Sequence, residues 1–503
     1  MPTGAVASRF VIGSAVSAWG AGTRLALAAL AAVALLPAAT NLAPAMARPL
    51  VTGVSGIGDY TPITFSQTRT TGARFVRLAV YWRNVAPKTL PSEWQPKNPA
   101  DPHYDWSYID QGVTEAVKAG LTPLLLVDGA PAWAQRCKAP AIASAGDLCD
   151  PAPAALAAFA TAAARRYSGT FGGLPRVQYW QALNEPNLTL FFFPQFNTQG
   201  RPLSPGLYRA LINAFYAGVK SVDRTNLVLA AGLGPTAVPG LTIGPLRFTR
   251  ELLCMRGQSR PRPKPGKCGG GVRFDIFDIH PYTTGGPDHQ GGVNDVQLGD
   301  LGKLTKLLRA AERAGRIKGQ FRRTPLWATE FSWDSAPPDP GGLRMRILTR
   351  WAAEAMHRVW SAGISNFFWY SLRDSPRVPN RPFSETLQSG LYFRGPTPEE
   401  DRPKDVLYAF RFPFVAYPRD NGLLFWGRTP DSSGGEVVLQ IHEQQEWRTL
   451  AVSLADESGI FQGVVPTHYG ANEVGAVRAE YRGESSVPFS MRPVEDFRQP
   501  PFG

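Results

Sequence analysis

The chain has 503 residues, 44% hydrophobic and 18% charged, which excludes a disordered chain and leaves material for one large and one small domain. Its 53 Lys and Arg against 40 Asp and Glu give a formal charge of +13. No dense basic run concentrates that charge, so the arginines read as scattered over a solvated surface and nucleic acid is not an expected partner. A preference for acidic polysaccharides or an anionic cell envelope is the other reading of the same charge.

In chain order, Arg9 and Arg24 precede an apolar run, Leu25 to Leu36, that is too short to span a bilayer comfortably. A small-x-small site follows at Ala45-Met46-Ala47. Residues 1–47 therefore read as a signal peptide cleaved before Arg48, giving a secreted protein with no stable membrane insertion. An uncleaved anchor is the competing reading. The four cysteines fall into two local couples, Cys137 with Cys149 and Cys254 with Cys268. Each couple would close a short loop, as suits an oxidising compartment, while the absence of C-x-x-C spacing argues against zinc.

Short β-rich runs then alternate with amphipathic helical stretches. Strands are predicted at Val51–Ile57, Phe75–Tyr81, Leu121–Val127, Val177–Leu183, Leu227–Ala231, Phe274–His280, Pro325–Phe331 and Ser365–Ser371. Helices are predicted at Tyr108–Ala119, Ala154–Tyr167, Pro205–Val222, Leu301–Ala314 and Leu343–Ala362. Strands such as Leu124-Leu125-Leu126-Val127 are apolar on both faces, as a parallel sheet covered by helices requires. The pattern predicts an α/β fold, a (β/α)8 TIM barrel over residues 48–403. A doubly wound open sheet is the runner-up, but no Gly-rich phosphate turn follows the first strand.

Residues 373–404, rich in Pro, Arg and Gly, read as a long loop and connector. Short strands follow at Gly422–Trp426, Glu436–Ile441, Trp447–Ser453, Gly459–Val464, Ala476–Tyr481 and Val487–Met491. They predict a small all-β, Ig-like sandwich over residues 404–495, with a Pro-rich tail at 496–503.

Function in a TIM barrel collects at the C-terminal ends of its strands. The fourth strand ends in Leu183-Asn184-Glu185-Pro186-Asn187, and the seventh in Ala328-Thr329-Glu330-Phe331. Each puts a carboxylate directly after an apolar run, and strands four and seven lie nearly opposite. Carboxylates there can approach the ~5–5.5 Å of a double displacement, whereas roughly 6.5–9.5 Å would predict inversion.

Asn184-Glu185-Pro186 on strand four with Glu330 on strand seven resembles the signature of glycoside hydrolase clan A. The resemblance covers the barrel and implies Glu185 as acid/base, Glu330 as nucleophile and net retention of anomeric configuration. It implies that Arg77 holds the nucleophile ionised and that Asn184 bonds the sugar 2-hydroxyl. By the same resemblance His280 and Tyr282 orient the nucleophile and line the subsite, and Trp369 forms the aromatic floor. The segment Ser389-Gly390-Leu391 with Lys404 resembles the exit from such barrels into an accessory sandwich. Family 5 members usually show a His near the end of strand three, where this chain has Val127-Asp128-Gly129. Pro123-Leu124-Leu125 leading to Pro131-Ala132-Trp133 looks closer to family 39.

Each residue also has a structural reading. Glu185 could be a carboxylate at a helix N-terminus, Glu330 and Arg77 a plain ion pair, His280 a satisfied core histidine, and Trp369 part of the core. Asp128 and Trp133 follow strand three and are candidates to line the cleft. Phe191, Phe192, Phe193 and Phe196 form either a platform for sugar rings or a self-packed loop. Asp288 and His289 have no metal-ligand spacing and receive no role. The expected function is a secreted retaining glycoside hydrolase acting on a poly- or oligosaccharide, with no metal or organic cofactor. An envelope-glycan transglycosylase on the same residues and a non-catalytic carbohydrate-binding barrel are the alternatives.

Overall fold

A computed structural model of the chain describes residues 48–138, 148–266, 271–419, 422–466 and 475–491. The expected signal peptide, residue 268 of the Cys254–Cys268 couple, and the tail lie outside the described residues. Eight parallel strands close into a barrel. They are β1 (Val51–Ser55), β2 (Phe75–Tyr81), β3 (Thr122–Asp128), β4 (Tyr179–Ala182), β5 (Leu227–Leu233), β6 (Ile276–Ile279), β7 (Leu326–Ala328) and β8 (Ile364–Tyr370). Each pairs with its sequence neighbours, and β8 closes on β1 with Val51 opposite Asn366 and Ser55 opposite Tyr370. The (β/α)8 expectation therefore holds.

The longer helices between the strands are α1 (Pro62–Thr70), α2 (Ser107–Lys118), α3 (Pro153–Arg166), α4 (Ser204–Lys220), α5 (Pro245–Leu252), α6 (Leu301–Arg313) and α7 (Met345–Ser361). Four of them, α1, α3, α4 and α5, carry Pro in the first turn, where its missing N–H costs nothing. Thr61 caps α1 through a reciprocal pair with Thr64, satisfying two otherwise orphaned donors.

Alternation along the strands divides the barrel interior into layers. Its floor is an apolar plug of Phe75, Leu124, Leu227, Leu229, Ile276, Trp327 and Phe368. Phe368 fills the axis because Gly53 faces it; a Cβ on Gly53 would lie 2.5 Å from the Phe368 ring. Two residues further along the strands the inward positions turn polar, at Arg77 on β2, Gln181 on β4 and Asp278 on β6. These are buried, so each must find its partner inside the barrel.

Beyond the barrel comes α8 (Asp405–Arg411), then antiparallel strands. A three-stranded sheet joins β9 (Phe414–Arg419), β10 (Gly422–Arg428) and β13 (Ile460–Val465). A second sheet is built on β11 (Gly435–Glu443), β12 (Glu446–Ala455) and β14 (Ala476–Tyr481). The three-stranded sheet backs onto the barrel's last helix: His357 and Trp360 of α7 meet Trp426 of β10 in tilted ring pairs at 5.2 and 5.6 Å.

The connector from β8 is fixed by a buried cation. Lys404, 1% exposed, donates to Ser335 Oγ at 2.8 Å, the Gln388 carbonyl at 3.0 Å and Asp374 Oδ1 at 2.5 Å. Burial pulls the Lys404 pKa down and pushes that of Asp374 up, so the pair is held at a desolvation cost. Lys404→Met, which strands Asp374, is expected to lower stability by about 3–5 kcal/mol in denaturant unfolding. A loss within experimental error would show that the pair adds nothing.

Candidate active site

The mouth of the barrel is shaped by an unusual turn after β4. Leu183 and Glu185 both have positive φ, 65° and 39°, a backbone region that costs non-glycine residues on the order of 1–2 kcal/mol each. The strain is held by the neighbouring strand: Glu185 N donates to the Gly232 carbonyl at 3.1 Å. Asn187 bridges to Gly234 in both directions, donating to its carbonyl at 3.1 Å and accepting from its amide at 2.9 Å. The result points the Glu185 carboxylate inward, with 5% of the residue exposed.

Glu330 follows β7 and faces it. Arg77 binds Glu330 Oε1 through Nη1, donates from Nη2 to Asn184 Oδ1 at 2.9 Å, and from Nε to Gln181 Oε1 at 2.8 Å. The Tyr282 hydroxyl donates to Glu330 Oε2 at 3.2 Å. His280 Nδ1 lies 2.8 Å from Glu185 Oε1 and 3.7 Å from Glu330 Oε2. The expected pair thus divides its labour: Tyr282 touches Glu330, whereas His280 touches Glu185 first. Behind His280, Nε2 is 3.1 Å from Thr329 Oγ1, Thr329 bonds Asp278, and Gln181 Nε2 donates to Asp278 Oδ2 at 2.7 Å. One continuous network therefore runs from Arg77 through Gln181 and Asp278 to His280.

Electrostatics separate the two carboxyls. Burial raises the Glu185 pKa, and the neighbouring Glu330 charge adds to it, against the pull of His280 and Arg77. Burial also pushes Glu330 upward, but His280, the charge and hydrogen bond of Arg77, and Tyr282 outweigh it and bring Glu330 down. Burial lowers His280, yet Glu330, Asp278 and Glu185 together raise it to about 10, so the ring is an imidazolium. Glu185, His280 and Glu330 offer ligand atoms within 4.8 Å of one another, a spacing a cation could use. Arg77 already pairs with Glu330, and the spacing by itself assigns no ion.

Asp128 ends β3 beside this network, 5% exposed, with no partner for Oδ1. Burial lifts its pKa from 3.8 to about 7, against the amides of Gly129 and Asn184 and the charges of Arg77 and Arg83. A carboxyl raised in the fold is penalised only when ionised: nothing is lost below pH 3.8, and the full penalty applies above 7. Asp128→Asn is therefore expected to raise Tm at pH 8 and leave it unchanged at pH 3.5. An equal shift at both pH values would contradict this burial penalty.

Two expected residues lie elsewhere. Trp369 is fully buried on the outer face of β8, where Nε1 donates to the Ser389 carbonyl at 2.7 Å and the ring meets Phe331 and Phe410. Strand alternation turns Tyr370 to the mouth instead, and its pKa is raised by burial and then by Glu330. Trp133 packs on Trp82 and Trp94 and donates to the Pro87 carbonyl at 2.8 Å, in an aromatic cluster of the loops rather than on the carboxylates. The phenylalanine loop is packed: Phe192 is fully buried, and residues 192–193 pair with Leu148–Cys149. Cys149 is bonded to Cys137, so that disulfide fastens the loop following Glu185.

No family model and no curated protein matches the chain. Among solved structures it resembles a family 39 glycoside hydrolase from the gut symbiont Bacteroides cellulosilyticus, at a TM-score of 0.52 and 18% identity over 83% of this chain and 81% of that one. The chain shares that protein's fold. Further similar structures are a family 39 β-xylosidase from Caulobacter crescentus (TM-score 0.47, 17% identity, 80% and 84% covered) and a family 30 endoxylanase from Clostridium papyrosolvens (0.44, 12%, 84% and 94%).

Gln181, Asp278, Thr329 and Tyr370 were not among the expected site residues. The signal for the first two was available: a polar side chain inside an otherwise apolar barrel strand, on the same face as the catalytic candidate that follows it.

Proposed function

We propose that the protein is a secreted retaining glycoside hydrolase, with Glu330 as nucleophile and Glu185 as acid/base. The observation that carries this reading is the pair itself. Oxygens of the two carboxyls lie within 4.8 Å, nearer the ~5–5.5 Å of retaining enzymes than the roughly 6.5–9.5 Å that admits a water between them. Their pKa values are also driven in opposite directions, as an acid and a nucleophile require.

In the first step Glu330 attacks the anomeric carbon as the glycosidic bond breaks, and Glu185 gives its proton to the departing oxygen. In the second, Glu185 takes a proton from water, whose oxygen displaces Glu330 and restores both carboxyls. Arg77 and Tyr282 keep Glu330 ionised and aimed, and His280 positions Glu185. Asn184, fixed through Oδ1 by Arg77, has its amide nitrogen available for the sugar 2-hydroxyl. Among the described residues no helix is long and apolar enough to cross a membrane. The Cys137–Cys149 disulfide supports export.

The test is an activity screen against aryl β-glycosides and plant and bacterial polysaccharides, with Glu330→Gln as control. Turnover by the parent alone is expected. Equal turnover by the variant would sink the assignment.

A further inference from the structure

The hydrogen bonds behind His280 have a direction that can be followed atom by atom. Arg77 has only donors, so Gln181 meets it through Oε1 at 2.8 Å and turns its amide nitrogen away. That nitrogen donates to Asp278 Oδ2 at 2.7 Å, while the amides of Ile279 and Thr329 donate to Oδ1 at 2.9 and 3.0 Å. The buried Asp278 carboxyl therefore accepts on every side, and the Thr329 hydroxyl gives it the one hydrogen it has. Thr329 Oγ1 is left as an acceptor for His280 Nε2, 3.1 Å away. Hydrogen is thus called for on Nε2.

The backbone makes room for this chain of groups. Strand β5 steps over Gly232, so that Ala231 pairs with Asp278 and Leu233 with Ile279. A Cβ on Gly232, at φ +53°, would lie 2.6 Å from Gln181 Nε2, 3.1 Å from Asp278 Oδ2 and 3.3 Å from His280 Nε2. The fully buried His280 ring faces three acids: Glu185 at 2.8 Å from Nδ1, Glu330 at 3.7 Å from Nδ1, and Asp278 at 3.7 Å from Nε2. Arg77 and the Tyr282 hydroxyl bond Glu330, the farther of the two acids facing Nδ1. Three acids around one ring favour its doubly protonated form, and both N–H groups then have an acceptor, Thr329 Oγ1 and Glu185 Oε1. An N–H aimed at Oε1 keeps a second hydrogen off that oxygen, which leaves Oε2 to carry the proton of the Glu185 acid.

We propose that Asp278 and Thr329 are positioning residues for the acid/base: by holding hydrogen on His280 Nε2 they commit Nδ1–H to Glu185 Oε1, so that Glu185 delivers its proton from Oε2. The role of Glu185 rests on the hydrolase reading above, whereas the hold on the His280 ring does not.

The test compares the parent with Asp278→Asn, with Thr329→Val, which keeps the shape without the hydroxyl, and with Thr329→Ser, which restores it. On aryl β-glycosides with an unsubstituted phenyl leaving group, kcat/KM should fall about tenfold or more in Thr329→Val and Asp278→Asn. With a dinitrophenyl group, which leaves without a proton, it should stay within about threefold of the parent. Thr329→Ser should bring the phenyl rate back. A merely structural role would slow both leaving groups alike. The second readout is nitrogen NMR of histidine-labelled protein, with the His280 ring assigned by its loss in His280→Gln. That ring should give up its second hydrogen at lower pH in Thr329→Val and Asp278→Asn than in the parent, since each variant removes support for the charged ring. Equal slowing of both leaving groups, or a His280 titration unmoved in both variants, would overturn the proposal and leave the hydrolase standing. A shifted titration in a protein that cleaves no glycoside would keep the hold on His280 and remove the hydrolase.

Discussion

Glu330→Gln is expected to lower kcat by about 10⁴-fold or more, because in the proposed mechanism no other group forms the glycosyl ester and loss of a nucleophile costs that order in comparable sites. The substitution is isosteric, so the fold should persist. Its stability should nonetheless change with a definite sign. Glu330 sits below its usual 4.5 in the fold, so its ionised form contributes stability above 4.5 that is lost as pH falls through the folded value. The variant should therefore melt earlier than the parent at pH 7, and the gap should close in acid. Parallel kcat and Tm measurements check both halves. A variant with undiminished kcat would remove Glu330 from the mechanism, and a Tm gap that widens in acid would contradict its depressed pKa.

Glu185→Gln is expected to lower kcat/KM by about 10²–10⁴-fold on substrates with poor leaving groups, and far less on glycosides of acidic phenols, which leave without protonation in the first step; kcat should fall on both, because the second step loses its base. The pH profile gives the sharper readout. The proposed mechanism needs Glu185 protonated and Glu330 ionised, so activity should fall at the alkaline end as Glu185 loses its proton. Burial and Glu330 place that limb above the ordinary carboxylate range. The acid limb should lie below that range, where Glu330 protonates. In Glu185→Gln the alkaline limb should vanish from kcat/KM while the acid limb remains. An alkaline limb that survives the substitution would assign it to another group.

The barrel strands were legible because each is a short apolar run, and both carboxylates because each directly follows one. What escaped has physical causes. Helices α1 and α5 are short and open on Pro, which reads as a breaker when the turn before it is unknown. Strand β9 and helix α8 begin directly after a Pro-rich connector whose composition masks them. Phe367-Phe368-Trp369-Tyr370 gives no polar alternation from which to decide which rings face inward, so Trp369 was assigned where Tyr370 stands. Gly53 settles the parity, since only a glycine admits the Phe368 ring at the axis, but that contact spans more than 300 residues of sequence. The Lys404 anchor was legible only as a resemblance, because its partners Ser335, Asp374 and Gln388 come from three separate segments.

The central claim is double displacement through two closely set carboxyls, and the anomeric configuration of the first-formed product tests it most directly. Proton NMR of a β-glycoside hydrolysis, followed before mutarotation, should show the β-anomer of the released sugar appearing first. An initial α-anomer would mean that water attacks in a single inverting step, and would contradict the account.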